Sequence, residues 1–186
     1  MKKDVLHYLK VGGILCAIGA GSALLIGLTN VLTEGPIKKN QEANEQKALK
    51  NIYSKDDVDF GEKTDIKEDS KEYKYLLSYW NPTKKGETAD ETYGYIFKTH
   101  GADKNNYGTV TMLVEITTKF EVGKISIVEN TESYATTVQN DYVDKYNKGE
   151  IGLNDVNCGA TYGATLIKEM SEAAKNYCVS NFGEAK

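Results

Sequence analysis

The residues best suited to chemistry lie in one short stretch, residues 154–165, which runs Asn-Asp-Val-Asn-Cys-Gly-Ala-Thr-Tyr-Gly-Ala-Thr. Two Gly-Ala-Thr triplets end at Thr161 and Thr165, directly before a segment whose apolar spacing predicts a helix. Small residues, unpaired backbone N–H groups and hydroxyls at a helix N-terminus favour an anion, because the helix dipole places partial positive charge there. The stretch could therefore bind a phosphate without a basic side chain. A threonine N-cap with a tight turn is the alternative interpretation.

Strands and helices on both sides must position this stretch. Alternating apolar residues predict an antiparallel meander of about four strands, within residues 73–79, 93–97, 109–118 and 124–129. Helical spacing then predicts one helix through Val138 and Tyr146 and a second over residues 162–177. The fold class is therefore α+β. Most of the 13 tyrosines lie at alternating strand positions, which favours packing over ligand contact.

The N-terminal region predicts a membrane span. Residues 11–32 contain no charged side chain, and a helix of that length reaches across a hydrocarbon core of roughly 30 Å. A cleaved signal peptide is the alternative, but no Ala-x-Ala site follows before Glu34. The basic leader places the N-terminus in the cytoplasm and the later domain outside, although lysines also follow the span. We expect four segments: a cytoplasmic leader at 1–10, a transmembrane helix at 11–32, a stalk and connecting segment at 33–70, and a folded domain at 71–186. Within the stalk, a helix is predicted to begin at Pro36.

Composition narrows the function further. The net charge is −4 and all 23 basic residues are lysine, which disfavours a nucleic-acid partner because arginine supplies the planar contacts of most specific sites. Cys158 and Cys178 flank the last predicted helix, whose ends lie roughly 24 Å apart. A disulfide requires Cα atoms within about 7 Å, so we expect both to be free thiols. His100 has no second histidine near it outside the N-terminal segment, so a metal site is not expected.

The stretch from Asp155 to Thr161 resembles the flavin-attachment motif Asp-x-x-Ser-Gly-Ala-Thr of the FMN-binding domain family. That domain occurs in the G subunit of the Rnf electron-transport complex and in the C subunit of the sodium-pumping NADH:quinone reductase. The resemblance extends along the chain, through Thr29-Asn30, Thr33 with Pro36-Ile37, Gly94-Tyr95-Ile96-Phe97, Tyr107-Gly108 and Gly123-Lys124-Ile125. The match to the Rnf subunit is specific, whereas the motif alone is common to flavinylated domains.

The resemblance implies an FMN joined through its phosphate to the hydroxyl of Thr161 by a flavin transferase. It assigns the remaining cofactor-binding positions to Asp155, Cys158, Gly159, Ala160, Thr165, Thr131 and Glu132. The protein would then relay electrons within an Rnf-type complex, beside other membrane subunits, and no catalytic residue or metal is required. In the family, electron flow between ferredoxin and NAD is coupled to sodium or proton movement.

Two positions depart from the family pattern. Cys158 stands in place of the serine, and residues 129–138 replace the usual Glu-Thr-Pro-Gly, so that Thr131, Glu132 and Ser133 are candidates by position alone. The second triplet also offers Thr165 as an attachment point, but only Thr161 has an aspartate six residues before it.

Two alternative functions stay open. One is a stand-alone flavinylated carrier that serves an extracytoplasmic acceptor, and the other is an anchored binding or structural domain without cofactor.

Overall fold

The computed structural model describes residues 2–53, 57–67, 73–86, 92–105 and 107–183. The chain divides into two compact units, Met1–Ala43 and Asn44–Lys186. The first unit consists of helix, and the second contains the sheet and the remaining helices. The predicted α+β class, with an N-terminal apolar helix before an antiparallel sheet, is confirmed.

Helix α1 spans Lys2–Ile52 without interruption. Between Lys10 and Ile52 it contains an 18-residue window with a mean hydropathy of 2.1, and within the described ranges it is the one helix long and apolar enough to cross a membrane. The prediction that a separate helix opens at Pro36 is wrong, because the proline lies inside α1. Proline cannot donate a hydrogen bond in a helix interior, but its fixed φ is compatible with helical geometry, so the helix continues through it.

The described residues after α1 contain seven strands, and five of them form one antiparallel sheet in the order β2-β3-β5-β6-β7. Strands β1 and β4 form a separate two-stranded pair. The strands are β1 Val58–Asp59, β2 Thr64–Asp65, β3 Leu76–Trp80, β4 Thr83–Lys84, β5 Gly94–Ala102, β6 Thr109–Thr117 and β7 Val122–Asn130. The four predicted strands correspond to β3, β5, β6 and β7, and the short β2 adds an edge that the charged sequence around it does not suggest.

The helices after the sheet are α2 Ala135–Thr137, a π-helical segment Val138–Val143, α3 Asp144–Asn147 and α4 Thr161–Phe182. Helix α4 is longer than the predicted 162–177, and the first predicted helix contains the π-helical segment. The side-chain amide of Asn147 pairs with both backbone groups of Ile125, at 2.9 Å and 2.7 Å. These bonds satisfy part of the free edge of β7, which otherwise presents unpaired backbone groups.

The sheet buries apolar side chains on both faces. On one face, α4 and the π-helical segment cover the main core, whose fully buried members include Phe97, Met112, Tyr142, Ile167 and Met170. On the opposite face the last turns of α1 complete a smaller core, formed by Ala48, Leu49, Ile52, Trp80, Ile96 and Leu113. The C-terminal part of the predicted stalk is therefore packed against the sheet. The two cores cover the sheet on both sides, and the start of α4 lies near the segments that follow β5 and β7.

Candidate functional site

The turn before α4 leaves the start of this helix without a side-chain cap. Gly159 has φ +83°, a left-handed conformation that glycine adopts at little cost. Ala160 is the N-cap residue and provides no side-chain bond, and the first helical hydrogen bond runs from Ala164 N to Ala160 O at 3.1 Å. The N–H groups of the first turn, residues 161–163, have no hydrogen-bond partner among the residues that the structure describes. This helix start can therefore accept an anion.

A cleft of about 290 Å³ opens at this helix start. Its lining residues are Asp103, Tyr107, Glu132, Tyr134, Gly159, Ala160, Thr161, Tyr162 and Gly163. The fold thus brings four of the residues selected from the sequence, Glu132, Gly159, Ala160 and Thr161, into one cavity. We refer to it as the Thr161 cleft.

Thr161 and Thr165 differ in the freedom of their hydroxyls. Thr161 is the first residue of α4, is exposed, and its hydroxyl has no partner in the described part of the chain. The Thr165 hydroxyl donates to Thr161 O at 2.7 Å. Both threonines line a second cleft of about 190 Å³ on the other side of Tyr162. Since Ala160 is the N-cap, the interpretation of Thr161 as a capping residue does not hold.

Asp155 and Cys158 lie apart from the Thr161 cleft. They line a third, open cavity together with Asp141 and Lys145. The Asp155 carboxylate accepts a hydrogen bond from Gly152 N at 2.7 Å, which closes the loop before α4. The structure therefore shows Asp155 as an organiser of the loop and does not bring its carboxylate into the cleft.

The cysteines are free thiols, as the helix geometry predicted. Cys158 is half-buried, whereas Cys178 is fully buried in the main core. Burial raises the pKa of the Cys178 thiol to about 12, because the apolar surroundings disfavour the thiolate. Cys178 is consequently a packing residue.

The segment after β7 places its three candidate residues differently. The Thr131 hydroxyl accepts from Thr109 N at 2.9 Å and so joins the ends of β6 and β7. Ser133 N donates to Tyr107 O at 3.1 Å. Only Glu132 reaches the Thr161 cleft. A Cβ at Gly108, whose φ is +141°, would lie 2.6 Å from Glu132 N, so a glycine is needed for this close approach.

Two buried carboxyl groups line the Thr161 cleft. Asp103 and Glu132 are each 7% exposed, and Asp103 Oδ2 and Glu132 Oε1 have no hydrogen-bond partner among the described residues. Burial raises the pKa of the Glu132 carboxyl, and the charge of Asp103 raises it further. Asp103 is not among the residues selected from the sequence, because a single acid between Ala102 and Lys104 is typical of a solvated loop.

Three exposed tyrosines surround the same cleft. Tyr107, Tyr134 and Tyr162 expose 49%, 61% and 57% of their surfaces. The rings of Tyr107 and Tyr162 lie 6.0 Å apart. None of the three lies within a strand, so the strand pattern that explains most other tyrosines does not apply to them. Their exposed faces are suited to a planar aromatic ligand.

Replacement of Gly163 by alanine is expected to disturb the cleft and lower stability. A Cβ at this position would overlap the Glu132 carboxylate and lie 2.7 Å from Val138 Cγ2. Overpacking of this kind costs about 1–3 kcal/mol, measurable as a lower free energy of unfolding in detergent. Gly13→Ala is the matched control, since its added methyl meets nothing within 4 Å. Equal stability of Gly163→Ala and the wild type would contradict the close packing of α4 on Glu132.

The fold and the site define a protein with one long apolar helix that fits a membrane anchor, followed by an α+β unit with an anion-accepting cleft. Residues 1–52 match the family model described as the RnfG N-terminal region. Through this region the chain is similar to that family, in agreement with the resemblance expected from the sequence. The match ends at residue 52, before the sheet and the Thr161 cleft. No curated protein matched the chain.

Proposed function

We propose that this chain is the flavin-bearing subunit of an Rnf-type electron-transport complex, with FMN joined through its phosphate to the Thr161 hydroxyl. The observation that supports the proposal most is the Thr161 hydroxyl itself, exposed and without a partner in the described residues, at the start of a 22-residue helix. The RnfG-like N-terminal region favours a complex subunit over a stand-alone carrier.

The residues around Thr161 fit the phosphate of such a group. The N-terminus of α4 offers unpaired N–H groups and the positive end of the helix dipole, equivalent to roughly half a charge. Gly159, with its positive φ, allows the turn that aims these groups into the cleft. Lys104 lines the adjoining cleft beside Thr161 and adds a positive charge to the region.

The cleft also fits part of a flavin ring system. Its volume of about 290 Å³ lies at the lower end for ligand pockets, so a cofactor of this size would stay partly exposed. The exposed faces of Tyr107, Tyr134 and Tyr162 supply aromatic surface around the opening. Partial exposure suits a relay, because neighbouring carriers must come close to the cofactor to exchange electrons.

The roles of the chain are to bind and to position. FMN supplies one- and two-electron redox chemistry when bound. The first turn of α4 would hold the phosphate, Gly159 and Ala160 would let it approach the backbone, and the Asp155 loop would fix the entry to the helix. Thr131, Cys158 and Thr165 would support the cofactor site from its margins. The exposure of Thr161 would give a flavin transferase access during maturation.

The membrane arrangement follows from the helix and the leader. We infer that α1 crosses the cell membrane once. Its N-terminus would lie in the cytoplasm and the sheet unit on the extracytoplasmic side. The covalent link would then retain FMN where free flavin is not available. Other membrane subunits of the complex would provide the electron donor and acceptor, with the coupling to ion movement in the assembly as a whole.

Full-length protein produced with and without a flavin transferase tests the proposal. We expect flavin fluorescence on the denatured protein only when the transferase is present, since noncovalent flavin is lost on denaturation. A known substrate of the same transferase is the positive control. A chain that stays colourless while that control is labelled would contradict the proposal and leave an anchored domain without cofactor.

A further inference from the structure

The Thr161 cleft contains two carboxyl groups that the flavin-attachment motif does not include as a pair. Asp103 follows the end of β5, and Glu132 follows the end of β7. Both are more than nine-tenths buried and both line the cleft. Each leaves one carboxyl oxygen without a partner among the residues described, while Asp103 Oδ1 accepts from the backbone N–H of Asn105.

Ionisation of both carboxyl groups at once is energetically unfavourable in this cleft. Two carboxylates in one desolvated cleft repel each other, and each unpaired buried oxygen loses its hydration. Binding one proton removes one charge and supplies a donor. The backbone holds Glu132 in place, because Gly108 and Gly163 approach it so closely that a Cβ at either would overlap it or its neighbours.

We propose that Asp103 and Glu132 together form a proton-binding site that takes up one proton when negative charge arrives on a group bound in the Thr161 cleft. The identity of that group rests on the proposed function. When one electron arrives from a neighbouring carrier, one proton passes from water to the pair and cancels the added charge. When the electron leaves, the proton returns to water, and no covalent bond other than the O–H bond forms or breaks.

The surrounding groups are consistent with this assignment. Tyr107, Tyr134 and Tyr162 line the same cleft and contribute no positive charge. Lys104 and Glu169, whose charges have opposite signs, line the adjoining cleft. The positive end of the α4 dipole disfavours protonation of the Asp103–Glu132 pair. Burial and the Asp103 charge still raise the pKa of Glu132. The raised pKa favours protonated Glu132 at pH values above the ordinary titration range of a glutamate.

Infrared spectroscopy of the full-length protein in detergent, produced without flavin transferase, tests the pair directly. We expect a protonated-carboxyl band in the wild type that persists above the ordinary titration range of a glutamate and is absent in Glu132→Gln. In Asp103→Asn, a nearly isosteric change, the titration midpoint of this band is expected to fall by about one pH unit or more. Glu129→Gln, at an exposed position three residues away, should leave the band unchanged. Near-UV circular dichroism checks that each variant is folded.

Two results would overturn the inference: a wild-type spectrum without a band specific to Glu132 above the ordinary titration range of a glutamate, or an Asp103→Asn midpoint equal to that of the wild type. In flavinylated protein, the reduction potential should depend more steeply on pH in the wild type than in Glu132→Gln, and equal slopes would also count against the pair. If no flavin attaches, the proposed function fails, while the infrared titration still decides whether the pair shares a proton.

Discussion

Replacement of Thr161 by alanine is expected to abolish covalent flavin attachment completely. The phosphoester needs a hydroxyl oxygen at this position, and alanine has none. The change is not expected to unfold the protein, because the Thr161 side chain is exposed and caps no helix. Flavin fluorescence of the denatured protein, produced with a flavin transferase, measures the covalent attachment. An unchanged thermal unfolding midpoint shows that the fold is retained.

Two further variants make this result specific. Thr161→Ser keeps a hydroxyl and is expected to keep at least part of the labelling. Thr165→Ala removes the other candidate hydroxyl, which already donates to Thr161 O at 2.7 Å, and labelling is expected to persist. Loss of flavin in Thr165→Ala with retention in Thr161→Ala would move the attachment point one helical turn along α4.

Leu49→Ala is expected to produce the largest loss of stability, about 2–5 kcal/mol. Leu49 is 2% exposed and lies in the core that joins the end of α1 to the sheet, near Trp80 and Leu113. Deleting its branched side chain removes buried apolar contacts and leaves a cavity that its neighbours fill only in part. Chemical unfolding of the full-length protein in detergent, followed by tryptophan fluorescence, measures the effect because Trp80 is the single tryptophan.

Lys50→Ala is the matched control for this second result. Lys50 is the next residue of the same helix and is exposed, so its truncation is expected to change stability by less than about 0.5 kcal/mol. An equally small effect for Leu49→Ala would show that the last turns of α1 do not stabilise the sheet unit. The end of α1 would then be a stalk only, as its polar sequence suggests.

The sheet could be predicted from the sequence because its strands alternate clearly. In β6, Val110, Met112, Val114 and Ile116 all lie on the main core face and are fully buried. The continuation of α1 through Pro36 could not be predicted, because proline usually starts a helix and only the backbone around it decides whether the helix continues. The π-helical segment was also missed, since Val138, Tyr142 and Val143 fit α-helical spacing equally well.

The candidate site could also be predicted only in part from the sequence. Thr161, Gly159 and Ala160 could be selected because the motif is continuous in the sequence and starts a helix. Asp103 could not, because its burial arises only when the end of β5 meets the segment after β7. Glu132 was selected by position, and the structure adds the physical reason: its backbone packs against Gly108 and its carboxyl group against Gly163 in the first turn of α4. The three exposed tyrosines were hidden among many packing tyrosines.

The intact mass of the wild-type protein, produced with its flavin transferase and followed by peptide mapping, tests the central claim most directly. We predict one added mass equal to FMN minus one water, on the peptide that contains Thr161. An unmodified mass, under conditions that flavinylate a known substrate, would contradict the claim. The Gly-Ala-Thr stretch would then be only the turn that starts α4.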